Sequence, residues 1–123
     1  MNNDPHQHFT DLEVWKCARK LKIKIWNLTR KFPPEEKFRL TDQVIKSSRG
    51  IGAVIAEGYG RFTYKDQLHF CIMGRGSLSE TLSHLIDALD SGYISSEEIQ
   101  ILKADIDETG RLLNGYITWL RKK

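Results

Sequence analysis

Lys16, Lys20, Lys24 and Lys31 recur at intervals of four and seven, the spacing that brings side chains onto one face of a helix. A row of cations on such a face can neutralise phosphates at axial intervals. The attraction to nucleic acid that results is sequence-independent and salt-sensitive. Arg19 and Arg30 flank the row, and Lys46, Arg49, Arg61 and Lys65 follow in the next stretch of chain. The same stripe could equally serve solvation alone, so both readings stand. Zinc-finger spacing and the aromatic-rich strand motif of RNA-binding sheets are missing, and base-specific reading is not expected.

Catalytic patterns are not found in the sequence. There is no phosphate loop, no nucleophile elbow around Ser77 and no His-Glu-x-x-His. His6 and His8 lack a third ligand, and His69 and His84 lack ligand spacing. Glu97 and Glu98 are explained by helix capping. No enzyme, cofactor or metal site is expected. Gly74-Arg75-Gly76-Ser77 is the oddest segment, because two glycines inside a helix cost about 2 kcal/mol relative to alanine. They predict a close approach to the small-residue face of a neighbouring helix. Arg75 falls on the apolar line and is expected to be buried in a pair with Glu57 or Glu80, since an unpaired buried charge is prohibitively costly.

The elements that must carry these residues are all helical. Thr10 with Glu13 reads as a capping box for a first helix, with Phe9 stapled onto Val14, and the helix runs to about Lys31 before Phe32-Pro33-Pro34 ends it. Its core seam is Val14, Ala18, Leu21, Ile25, Leu28 and Phe32. A second helix from about Leu40 to Glu57 buries Val44, Ser48, Ile51 and Ile55 beside the small residues Ser48, Gly52 and Ala56. Thr63 with Asp66 opens a third helix ending near Asp90, with a glycine stop at Gly92. Its line is Tyr64, Leu68, Cys71, Arg75, Leu78, Leu82, Leu85 and Leu89. Ser95 with Glu98 caps a fourth, whose seam is Ile99, Leu102, Ile106, Thr109, Leu113, Tyr116 and Leu120. Four seams joined by short connections predict an all-α, up-down antiparallel four-helix bundle over residues 9–121, preceded by a loose tail at 1–8. Leu12, Trp15, Ile23 and Trp26 form a second apolar band on the first helix. They either cover the edges of their own core or anchor a subunit interface, where aromatics are enriched.

A chain of 123 residues is one domain's worth. With 40% hydrophobic and 28% charged residues it is not a disordered chain. Cys17 and Cys71 fall in helical patterns and read as reduced core thiols. No apolar run approaches the roughly 20 residues of a membrane span, and Met1 to His6 lacks the features of a secretion signal, so a cytoplasmic protein is expected. Net charge is +3, unevenly spread. Residues 1–65 hold thirteen Lys and Arg against seven Asp and Glu, whereas residues 66–120 hold three against nine. The basic side could face a polyanion or the acidic side of another subunit, or the two faces could simply be solvated.

Several segments in order resemble a known family. They are Phe9-Thr10-Asp11-Leu12-Glu13-Val14-Trp15-Lys16, Phe32-Pro33 with Glu35-Glu36, Ile55-Ala56-Glu57-Gly58-Tyr59-Gly60, Gly76-Ser77-Leu78 with Glu80, Gly92-Tyr93-Ile94-Ser95, and Leu112-Leu113-Asn114-Gly115. Over residues 9 to 120 the chain resembles the bacterial four-helix-bundle proteins encoded in ribosomal-RNA intervening sequences. The resemblance implies a homopentameric ring without known enzymatic activity. It also implies kinship with the accessory variability proteins of diversity-generating retroelements, which bind a reverse transcriptase and nucleic acid. By position, Glu57, Gly58, Gly76, Ser77 and Glu80 match recurrent residues of the family, read here as structural. The chain departs from the pattern at Ile51-Gly52-Ala53-Val54, where Ile-Pro-Ala-Asn is common, and at Gly74, where alanine is usual.

The expectation is therefore a non-enzymatic homopentamer with two kinds of partner: RNA or DNA, bound without sequence preference, and a protein, the reverse transcriptase of a retroelement. Phosphate would be met by Lys16, Arg19, Lys20, Lys24, Lys31, Lys46, Arg49 and Arg61. Subunits would meet through Leu12, Trp15, Ile23 and Trp26. The alternative is a structural assembly module that binds only protein.

Overall fold

In a computed structural model, which describes residues 8–123, four helices follow one another: α1 (Glu13–Thr29), α2 (Leu40–Tyr59), α3 (Tyr64–Asp90) and α4 (Ser96–Arg121). Short 3-10 turns at Phe9–Asp11 and Pro34–Glu36 precede α1 and α2. The described residues contain no strand. Each helix packs on two others, α1 on α2, α2 on α3, α3 on α4 and α4 back on α1, while the diagonal pairs stay apart. Short connections make sequence neighbours antiparallel, and the result is an all-helical four-helix bundle. Residues 1–7, which include most of the expected tail and His6, lie outside the described residues.

The helix boundaries follow their chemistry. Thr63 accepts a hydrogen bond from the Asp66 N–H at the start of α3, and Ser95 and Glu98 form the expected reciprocal box on α4. Gly92 takes φ +78° after α3, a conformation open to glycine. At α1 the expected box moves back by two residues. His8 and Asp11 cap the leading 3-10 turn, and Leu12, which contributes no side-chain cap, precedes α1 itself. Phe9 meets Trp15 edge-on at 5.2 Å rather than stapling onto Val14. The first helix also ends at Thr29, two residues earlier than Lys31.

Leu21, Ile25, Val44, Ile51, Ile55, Leu85 and Leu113 are wholly enclosed at the centre. The α2 line is as expected, and in α4 Ile117 takes the buried position assigned to Tyr116. In α3 the buried line is Cys71, Gly74, Leu78, Thr81, Leu85 and Ala88. Every second member is one residue earlier than expected, and Gly74 occupies the place given to Arg75. The reason is steric. A side chain on Gly74 would meet Val54 and Ile55 of α2 and Leu113 of α4 within 4 Å, so only small residues fit where the three helices converge. Arg75 turns outward and is exposed, with neither Glu57 nor Glu80 beside it. The expected buried ion pair is not formed.

Two polar contacts cross the interior. Thr81 Oγ1 lies 2.9 Å from Ser47 Oγ of α2 and 2.8 Å from the Ser77 carbonyl oxygen. Thr109 Oγ1 donates to the Asp105 carbonyl and sits 3.1 Å from Cys17 Sγ of α1. Both satisfy hydroxyls that would otherwise be costly to bury.

Candidate nucleic-acid interface

The fold separates the cations into those held by carboxylates and those left over. On α1, Lys24 binds Asp105 of α4 at 2.6 Å, and Lys31 binds Glu98 of α4. These two lysines of the stripe thus turn toward α4 and border a groove of about 380 Å³ shared with Asn27, Leu28 and Ile101. Glu98 reports the contact: its carboxyl is held below the usual carboxylate value, first by the Lys31 hydrogen bond and then by the Ser95 backbone. Lys16 pairs with Glu13 at 3.4 Å, Lys46 with Asp42 at 3.1 Å and Arg61 with Glu57 at 2.7 Å. Five of the eight cations expected to meet phosphate already have an acidic neighbour.

Arg19, Lys20 and Arg49 have no carboxylate partner among the described residues. Arg19 and Arg49 converge from α1 and α2 on one groove of about 360 Å³, which Lys22, Trp15, Gly52 and Ala53 also line. Lys22 and Arg49 border the adjoining recess as well, together with Ile23 and Trp26. The Arg49 guanidinium lies 5.2 Å from the centre of the Trp26 ring, and that of Arg19 lies 5.9 Å from Trp15. A guanidinium resting on an aromatic face keeps its N–H edge available for a planar anion. Lys20 is exposed but does not line this groove.

Lys22 was missed by sequence reasoning because it lies outside the four-and-seven rhythm of the stripe. Its signal was position: residues 15, 19, 22 and 26 share one helix face, on the flank of the core seam. The small residues of α2 supply the floor of the groove. A side chain on Gly52 would stand 3.4 Å from Trp15 Nε1, so Gly52 seats that indole ring against α2. The small face of α2 was expected to receive Gly74 and Gly76, but at Gly52 it receives a tryptophan.

The second apolar band divides. Leu12 is 3% exposed and belongs to the core, so it cannot anchor a neighbour, and Trp15 is half-buried between Phe9 and Gly52. Ile23 and Trp26 remain 47% and 44% exposed. Of the residues read as structural, Gly58 is buried and Ser77 half-buried, whereas Glu57, Gly76 and Glu80 are exposed. Glu57 pairs with Arg61, and Glu80 lies 3.1 Å from the His84 ring. Among the described residues no group of three His, Cys, Asp or Glu could hold a metal ion, and no helix is long and apolar enough to cross a membrane.

Residues 10–115 match the family described as 23S rRNA-intervening sequence protein. The fold is similar to the crystal structure of a protein of unknown function from the S23 ribosomal protein family of Bacteroides thetaiotaomicron, with a TM-score of 0.79 and 24% sequence identity. That similarity covers 85% of this chain and 95% of the other, and at this identity it speaks for the fold. No curated protein matches.

Proposed function

This chain belongs to the 23S rRNA-intervening sequence protein family, and on that premise we propose that it is a non-enzymatic nucleic-acid-binding protein whose α1–α2 groove takes phosphate backbone. The observation that carries the reading is the convergence of Arg19, Lys22 and Arg49 on one groove, with no carboxylate among the described residues paired to them. Lys24 and Lys31 contribute less, since phosphate would have to displace Asp105 and Glu98. Exposed pairs of that kind are worth at most about 1 kcal/mol each, so displacement is affordable but adds little. The family's description ties it to a sequence carried in ribosomal RNA, which makes RNA the first polyanion to test.

The proposal extends to assembly. A homopentamer would present the groove five times and raise avidity without stronger single contacts. The ring would dock a protein partner, the reverse transcriptase of a diversity-generating retroelement. A second reading, a module that binds only protein, is favoured by the exposure of Ile23 and Trp26, which suit a subunit contact.

Binding of RNA and DNA of arbitrary sequence across a salt series separates the two. A nucleic-acid protein gives a steep negative slope of log affinity against log salt. Replacing Arg19, Lys22 and Arg49 together by alanine should reduce that slope by about 2 to 3. Absence of binding at low salt leaves the protein-only module.

A further inference from the structure

A different set of residues gathers at the end of the bundle where α2 gives way to α3 and α4 finishes. Phe62, in the α2–α3 loop, is fully exposed, and no ring or cation lies against it among the described residues. The exposed Phe38 differs, since the Lys37 ammonium covers it at 5.2 Å.

The loop that carries Phe62 is pinned on both sides. The Arg61 N–H donates to the Gly58 carbonyl at 2.9 Å, Gln67 Nε2 donates to the Arg61 carbonyl at 3.1 Å, and Thr63 caps α3. Arg61 is itself fixed by Glu57 and by the Phe70 ring, 4.6 Å beneath its guanidinium. The aromatic ring is thus presented to solvent on a fixed mount.

The first turn of α3 is fastened to the last turn of α4 by aromatic contact. Trp119 meets Tyr64 edge-on at 5.8 Å and carries the Lys123 ammonium 4.5 Å above its ring. Around this seam Lys65, Arg121, Lys122 and Lys123 have no carboxylate partner among the described residues. Most nearby carboxylates are engaged: Glu57 by Arg61, Glu13 by Lys16, and Asp11 by the His8 N–H. Asp66 sits in the first turn of α3, beside the Thr63 cap.

An exposed aromatic face set among unpaired cations is the arrangement that holds single-stranded nucleic acid: bases stack on the ring while phosphates meet the cations. A duplex keeps its bases stacked on one another and has none to offer. The α1–α2 groove reaches Ala56, one turn before this loop begins.

We infer that Phe62, with Lys65, Lys122 and Lys123, forms a site for an unpaired nucleotide. This inference shares its ligand class with the groove reading but stands on other residues. The test uses a short fluorescein-labelled oligouridylate, alone and annealed to oligoadenylate, with binding followed by anisotropy. Phe62→Ala should weaken binding of the single strand about tenfold and leave the duplex unchanged. Phe62→Trp should restore single-strand affinity, with its indole emission quenched by the single strand and not by the duplex. Equal loss on both ligands, no loss on either, or unquenched emission would overturn the site. The groove variant lacking Arg19, Lys22 and Arg49 provides the separation. If it binds as the wild type does while Phe62→Ala does not, the groove reading fails and this one holds.

Discussion

A Cβ added to Gly58 would lie 2.8 Å from the Phe70 Cβ and 3.2 Å from the Gln67 carbonyl oxygen, both on α3. Neither atom can retreat without moving backbone, so Gly58→Ala should destabilise the protein by about 1 to 3 kcal/mol. Gly76 has nothing within 4 Å of such an atom, and Gly76→Ala should stabilise it by about 0.5 to 1 kcal/mol through helix propensity. Urea unfolding midpoints would read both shifts, in opposite directions. The sequence marked both positions as structural, yet it could not separate them, because helix propensity is the same for every mid-helix glycine and contact is not. Cys71 gives a second residue-scale test. Burial pushes its thiol up to about 12 from an ordinary 9.0. The folded protein therefore holds this proton where the unfolded chain has lost it, and the associated stability falls as pH rises from 9.0 toward 12. Below that window, native-state alkylation at Cys71 should proceed only as fast as the protein opens, which mass spectrometry of iodoacetamide adducts would show.

At the scale of the helix, periodicity was a reliable guide wherever large apolar residues marked the buried line, as in α2 and most of α4. It misled in α3 because Leu82 and Leu89 are large and Gly74, Thr81 and Ala88 are small. The interior took the small set, leaving the leucines half-buried on the flank. A pattern records which residues are apolar, not how near the next backbone comes. The same limit applied to α1: its lysine face was legible, but the helix it would face was not. Since that helix is α4, Glu98 becomes a measurable reporter. Its carboxyl is depressed by Lys31, so the stability it adds is present above the ordinary carboxylate range and is lost as pH falls through the lowered value. Glu98→Gln keeps the capping geometry with Ser95 while removing the charge. The melting temperatures of the variant and the wild type should differ at neutral pH and converge in acid.

For the molecule as a whole, the contrast between a basic first half and an acidic second half suggested two faces of opposite sign. Folding brings the halves side by side, and Lys24–Asp105 and Lys31–Glu98 neutralise much of that contrast inside one subunit. What remains positive is narrower than the sequence implied, and it includes the α1–α2 groove and the end of the bundle near Lys122 and Lys123. Light scattering should report a mass five times that of the chain if the ring forms, and Trp26→Ala should lower it if that ring is closed through the exposed tryptophan. A mass unaffected by Trp26→Ala would move the contact elsewhere, for instance to the exposed Ile72, Met73 and Ile86 of α3.

The hydroxyl of Thr81 facing Ser47, and that of Thr109 facing Cys17, act as keys cut into two of the helix pairs. Sliding α3 by one heptad would set Ser47 against Gly74 or Ala88, and sliding α4 would set Cys17 against Leu102 or Tyr116. In three of those four mismatches the buried group would face a side chain with no hydrogen-bonding atom, and in the fourth a bulky ring. The two contacts favour one alignment of seams that are otherwise greasy, and the positions of the surface cations follow from that alignment.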